Sequence, residues 1–223
     1  MAGQRQTHRL SWAFRLSQNN SDPNSWDARY ASQELVWSLE PNQFVVEHLA
    51  ELAPGQMADL AGGEGRNALW FAKNGWLVEN VEISGVALEK FQLRAAREGL
   101  EAKVFSNHSP ASLAKFTLSP NLLVVAYLQL EVKDLVESLS NAVAQLQPGA
   151  VVFGVWRAKR NLTDGFGGPP NPAVLPTPAE LEAWAKTNLE SFEVFEVERK
   201  LIHEGAERVA IDVILKGRTA KTE

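Results

Sequence analysis

The sequence predicts an α/β protein in which helices cover both faces of a mostly parallel sheet. Three observations predict it. Apolar-periodic segments alternate with short strand-like runs from Pro41 onward, a glycine-rich turn at 62–65 joins one strand to the next helix, and the chain finishes on two strand-like segments with no helix between them. In 223 residues nothing after position 25 reads as a linker, so we expect an N-terminal arm over 1–25, one domain over 26–217 and a tail over 218–223.

Within the arm, Leu10, Trp12, Phe14 and Leu16 alternate with Arg9, Ser11, Ala13 and Arg15 in strand-like spacing, and the polar stretch 18–25 reads as loop. A helix is expected at 41–52, entered through Pro41, and a strand at 57–61. The glycine turn feeds a helix over 66–74, which Asn74-Gly75 closes. A strand over 76–83 follows, and Ser84 caps a helix that ends at Gly99. Strands are expected at 102–106, 121–127 and 150–156, the last two separated by an amphipathic helix at 131–146. Glycine and proline make 159–176 a long loop, and Thr177-Pro178-Ala179-Glu180 then carries N-cap, first-turn proline and capping-box glutamate. The final strands, 192–201 and 207–215, join at Glu204-Gly205 as an antiparallel hairpin on a sheet edge.

Composition narrows the function. A chain this long buries roughly 70–75% of its unfolded surface and needs no covalent or metal staple. The absence of cysteine excludes thiolate nucleophiles, cysteine-ligated zinc and iron–sulfur clusters. His8, His48, His108 and His203 form no pair at ligand spacing, so no metal site is expected. A net charge of −5 argues against a nucleic-acid partner. No apolar run approaches the ~20 residues of a membrane span, and Met1 to Gln6 lacks the apolar core of an export signal. A cytoplasmic protein with no membrane partner is the expectation.

The informative segment is Asp59-Leu60-Ala61-Gly62-Gly63-Glu64-Gly65-Arg66-Asn67 between a strand and a helix. Gly63, Gly65 and Ala68 have the small-residue spacing of a dinucleotide fingerprint, and Glu82 follows Gly63 by 19 residues, as a ribose-binding carboxylate would. Charge selects among adenosine ligands. Asp59 and Glu64 would repel a diphosphate at the helix N-terminus but attract an ammonium and a sulfonium, at up to about 4 kcal/mol per pairing before desolvation. That sign favours S-adenosylmethionine over NAD.

From Trp26 to about Leu215 the chain resembles a class I S-adenosylmethionine-dependent methyltransferase, of the group near the tellurite-resistance and thiopurine methyltransferases. The stretches that carry the resemblance are Trp26-Asp27-Ala28-Arg29-Tyr30 with Trp37 and Pro41-Asn42, the loop Asp59 to Asn67, Val81-Glu82-Ile83-Ser84, and Val124-Val125-Ala126-Tyr127-Leu128. The resemblance implies a Rossmann-like, seven-stranded, mostly parallel sheet with an antiparallel C-terminal hairpin. It implies that Asp59 and the backbone from Ala61 through Gly62 and Gly63 to Gly65 hold the methionine part, that Asn67 belongs to the same cofactor site, and that Glu82 takes the ribose hydroxyls. Ile83 would pack on adenine, with Asn107, His108 and Tyr127 completing the cofactor site. Asn107 stands where the family usually has aspartate, Ala61 where glycine is common, and Gln129 and Val155 where relatives often have histidine.

Methyl transfer is an in-line displacement at an activated carbon, so alignment and exclusion of water matter more than a dedicated base, and no catalytic residue is singled out. Trp26, Arg29, Tyr30, Trp37, Gln129 and Trp156 are the expected walls of a pocket for a small-molecule acceptor. Two other readings stay open: a non-catalytic S-adenosylmethionine-binding protein, and an NAD(P)-dependent oxidoreductase on the same kind of sheet.

Overall fold

The computed structural model describes residues 22–36 and 38–221. Its elements run α1 (Pro23–Ala31), α2 (Gln43–Leu49), β1 (Gln56–Leu60), α3 (Arg66–Lys73), β2 (Leu77–Glu82), α4 (Gly85–Arg97), β3 (Val104–His108), β4 (Leu122–Ala126), α5 (Val132–Val143), β5 (Val151–Arg157), α6 (Asn161–Asp164), α7 (Pro178–Asn188), β6 (Ser191–His203) and β7 (Ala206–Arg218). The strands form one seven-stranded sheet in the order β3-β2-β1-β4-β5-β7-β6, parallel through β5 and antiparallel at β7 and β6. Among the described residues no helix is long and apolar enough to cross a membrane.

Alternate strand residues serve opposite faces. Met57, Leu122 and Val124 pack with Phe44, Phe71 and Phe91 of α2, α3 and α4. Their neighbours Ala58, Leu123 and Val125 pack with Leu135, Leu139, Leu181 and Trp184 of α5 and α7. Burial on both faces is why Leu122 to Val125 read as a continuous apolar run.

Several boundaries follow capping chemistry. Ser84 accepts from Ala87 N, and the Thr177–Glu180 capping box is complete, as expected. Helix α1 begins within the stretch read as loop: Asp22 accepts from Asn24 N and Pro23 supplies the first turn, so 22–25 are cap and first turn, while the strand-like spacing at 9–16 and the rest of the polar run lie outside the described residues. Helix α2 starts at Gln43, behind Asn42, whose side chain accepts from Phe44 N, rather than at Pro41. The loop over 159–176 contains the one-turn α6, which Asn161 fixes by accepting from Ile211 N and donating to Gly167 O.

Two features of the topology position a site. After β1 the chain builds β2 and β3 on one side, while β4 and β5 lie on the other, which makes the carboxyl ends of β1 and β4 a switch point. Strand β7 pairs with β5 only as far as Asp212, so Ala206 to Ile211 and their partners on β6 overhang the carboxyl edge.

Candidate functional site

A cavity of about 250 Å³ opens at that switch point. Ala61 to Gly63, Val81 to Ile83, Ser109 to Ser112 and Ala126 to Leu130 line it along the strand ends. Trp26 and Tyr30 of α1, Arg66 and Asn67 of α3, and Asp134 and Glu137 of α5 complete the lining.

The backbone beneath the cavity is strained at two non-glycine residues. Ala61 follows β1 at φ 58° and Tyr127 follows β4 at φ 61°. Left-handed geometry at such residues costs roughly 1–3 kcal/mol and persists where the surroundings impose it. Tyr127 is pinned by its N–H, which donates to Val155 O at 2.8 Å. The glycines answer a crowding problem. A Cβ on Gly62 would sit 2.1 Å from Asn80 Oδ1 and 2.7 Å from Asp59 Cγ, and one on Gly65, at φ 73°, would meet the Phe91 ring at 2.1 Å.

Asp59 lies fully buried beside Gly62. Its Oδ2 accepts from Ala68 N at 3.2 Å, while Oδ1 has no partner, and the buried Asn80 Oδ1 beside it has none either. Burial pushes the Asp59 carboxyl up to about 7 against the pull of the Ala68 N–H and Arg66. Glu82 is 5% exposed and lines the cavity. Its two oxygens accept from Gly63 N and Ser84 N, both at 2.9 Å, leaving lone pairs for donors in the cavity. Burial raises its pKa, and those backbone N–H groups oppose the rise.

Helix α1 is fastened over the cavity at two points. Asp27 Oδ1 accepts from Ser84 Oγ at 2.5 Å and Val86 N at 3.2 Å. Lys90 Nζ donates to Tyr30 O and Gln33 O, each at 2.6 Å, and to Glu64 Oε1 at 3.1 Å. Trp26 and Tyr30 stack with centroids 5.8 Å apart.

Of the residues named from the sequence, Ala61, Gly62, Gly63, Asn67, Glu82, Ile83, Tyr127, Trp26, Tyr30 and Gln129 come together on the cavity. Asp59 and Gly65 lie behind its lining, and Trp37 lies outside the described residues.

Other residues named from the sequence lie elsewhere. Asn107 does not face the cavity: its Nδ2 donates to Glu79 Oε1 at 2.7 Å and Lys115 O at 2.8 Å, and its Oδ1 accepts from Ser109 Oγ. His108 is exposed, with Nε2 2.9 Å from Ile83 O, so it buttresses Ile83 from outside. Trp156 is 2% exposed and folds over Gly154 into the core on the α5 and α7 face. Arg29 does not line the cavity; its guanidinium sits 5.1 Å over the Trp26 ring. Glu64, counted as a charge at the mouth, is 2% exposed and turned toward Lys90 and Val36 N. Val155 is a core residue.

Sequence reasoning missed Ser109 to Ser112, Asp134, Glu137 and Arg66. Arg66 had a local signal: it opens α3, where the helix dipole disfavours a cation.

No family model matches the sequence, and no curated protein does. Solved structures match over most of the chain. TehB from Haemophilus influenzae superposes with a TM-score of 0.65 at 15% identity, over 80% of this chain and 62% of its own. The N-methyltransferase NodS from Bradyrhizobium japonicum WM9, bound to S-adenosyl-L-homocysteine, gives 0.62 at 12% identity, over 88% and 97%. The [4+2]-cyclase SpnF gives 0.60 at 14% identity, over 80% of each chain. The likeness is one of fold: this chain has the Rossmann-like, seven-stranded fold found in class I S-adenosylmethionine-dependent methyltransferases.

Proposed function

We propose that this protein is an S-adenosylmethionine-dependent methyltransferase acting on a small-molecule acceptor in the cytoplasm, near the tellurite-resistance and thiopurine group whose motifs it resembles. The observation that carries the reading is the buried, half-partnered Asp59 carboxylate beside the Gly62 cradle, with Glu82 facing the same cavity. These residues fit the group. The unpartnered Asp59 Oδ1 supplies negative charge for an ammonium, the side-chain-free Gly62 and Gly63 let backbone approach closely, and Glu82 retains acceptor capacity for ribose hydroxyls. A diphosphate would meet Glu82 in the cavity, with Asp59 close behind the lining, and be repelled.

Bound S-adenosylmethionine supplies a methyl on a positively charged sulfur; an acceptor lone pair forms the new bond to carbon as the carbon–sulfur bond breaks and its electrons stay on sulfur. The chain's own contribution is positioning. Glu82, Ile83 and Ser109 to Ser112 form the nucleoside end, and Ala61 to Gly63 the methionine end. Tyr127 to Leu130, with Trp26 and Tyr30, remain for the acceptor and exclude water around it.

Calorimetry with S-adenosylmethionine, S-adenosylhomocysteine and NAD tests this. The first two should bind and NAD should not. At about 100 times Kd, binding adds ~2.7 kcal/mol, or roughly 5–11 °C in Tm, and Glu82→Ala should remove most of that shift. Binding of NAD alone would overturn the reading.

A further inference from the structure

We infer that the acceptor is a small organic anion whose carboxylate-type head is held by the Arg66 guanidinium and the Tyr127 hydroxyl. The inference rests on the methyl-transfer reading and adds the substrate class. Its basis is a set of guanidiniums on the side of the cavity away from Glu82. The sheet order places β4, β5, β7 and β6 on that side, and three arginines gather there from distant parts of the chain. Arg66 lines the cavity, Arg157 ends β5, and Arg199 stands on the β6 overhang.

One carboxylate serves the two outer arginines. Asp212, fully buried, accepts from Arg157 Nη1 at 2.8 Å and from Arg199 Nε at 3.0 Å. Arg66 pairs with no carboxylate at ion-pair distance among the described residues; its Nη1 lies 3.3 Å from Ser38 Oγ, and Asp59 acts on it only at longer range. Asp212 is thus the ion-pair partner of two of the three guanidiniums, and the third, Arg66, has only the longer-range pull of Asp59. Buried cations are ordinarily paired or hydrogen-bonded, and a cluster short of anions is completed by one.

Two further observations point the same way. The Arg157 Nε–H is buried without a hydrogen-bond partner, pressed by Gly168, whose φ of 87° lets the loop close on it. The Tyr127 ring lies 6.0 Å from the Arg157 guanidinium, and burial, with Asp212, raises the pKa of its hydroxyl against Arg199, Arg157 and Asn42, of which Arg199 and Asn42 hydrogen-bond to it. The lining beside it combines Trp26, Leu128 and Leu130, which suit a carbon framework, with the polar Gln129, and Asp134 and Glu137 of α5 line the same cavity.

The test is calorimetry on the full chain, with and without saturating S-adenosylhomocysteine, using benzoate, its neutral isostere benzamide, and inorganic phosphate. Benzoate should bind at least tenfold more tightly than benzamide, about 1.4 kcal/mol. Arg66→Gln should abolish that preference, Arg66→Lys should keep part of it, and both should bind S-adenosylhomocysteine within threefold of the parent. Arg199→Gln, farther from the cavity, should reduce the preference and serves if Arg66→Gln fails to fold. Equal binding of benzoate and benzamide, or a preference that survives Arg66→Gln, would overturn the inference. Phosphate binding as tightly as benzoate would overturn its organic half. Loss of S-adenosylhomocysteine binding with the benzoate preference intact would instead sink the methyl-transfer reading and leave the anion site standing.

Discussion

Lys90 Nζ lies 3.1 Å from Glu64 Oε1 while donating to the carbonyls of Tyr30, Gln33 and Glu34. One ammonium thus joins the glycine turn after β1 to the C-terminal end of α1, which carries Trp26 and Tyr30. Lys90→Met leaves Glu64 buried without this partner, and breaking such a pair costs about 3 kcal/mol or somewhat more. A fall in Tm of roughly 6–12 °C is expected, with a larger rise in acceptor KM than in cofactor Kd. An unchanged melting curve would show that the contact contributes nothing.

The strain at Ala61 predicts a substitution that stabilises. At φ 58° the Cβ is a burden, so Ala61→Gly should add about 1 kcal/mol, less the entropy that glycine loses on folding. Gly62→Ala should do the reverse, since its Cβ would land on Asn80 and Asp59, and cofactor binding should disappear. Chemical denaturation of the pair, read as a shift in midpoint, checks both.

Asp59 sets a pH dependence whose sign follows from burial. Its folded pKa, about 7, lies above its unfolded value, so between about pH 4 and 7 the folded state holds a proton that the unfolded state has lost. Its contribution to stability is present below that window and declines as pH rises through it, by up to about 1.4 kcal/mol per unit, then levels off. Affinity for a ligand bearing an ammonium should move oppositely and rise through pH 7 as the carboxyl ionises. Asp59→Asn should flatten both profiles in urea titrations and calorimetry at pH 5, 6, 7 and 8.

Asp212 is the shared counter-ion of Arg157 and Arg199. Asp212→Asn removes the charge with little change of shape, and the two guanidiniums then lack compensation, at a cost of about 3–5 kcal/mol. Added benzoate should raise the Tm of this variant by more than it raises that of Lys90→Met.

What was legible in the sequence was whatever local chemistry dictates. The glycines between Asp59 and Asn67, the Ser84 cap and the Thr177–Glu180 box mark backbone geometry within a few residues, and each lies where the sequence places it. Side-chain direction was not legible. Asn107 stands near a strand end opposite Val81, yet its amide is consumed by Glu79 and Lys115, and no spacing reveals that. Trp156 has the residue type of a pocket wall, but its side chain folds back over Gly154, two residues earlier on the same strand face. The arginine pair on Asp212 was invisible for a different reason: positions 157, 199 and 212 meet only because β7 and β6 pair outside β5.

The two fastenings of α1 divide the labour of the site. Its floor is made of strand ends and belongs to the sheet, whereas much of its roof is one short helix moored by Asp27 and Lys90. A roof of that kind is exchangeable: grafting a different segment at 23–36 would change which molecules gain entry while the grip on the nucleoside stayed the same.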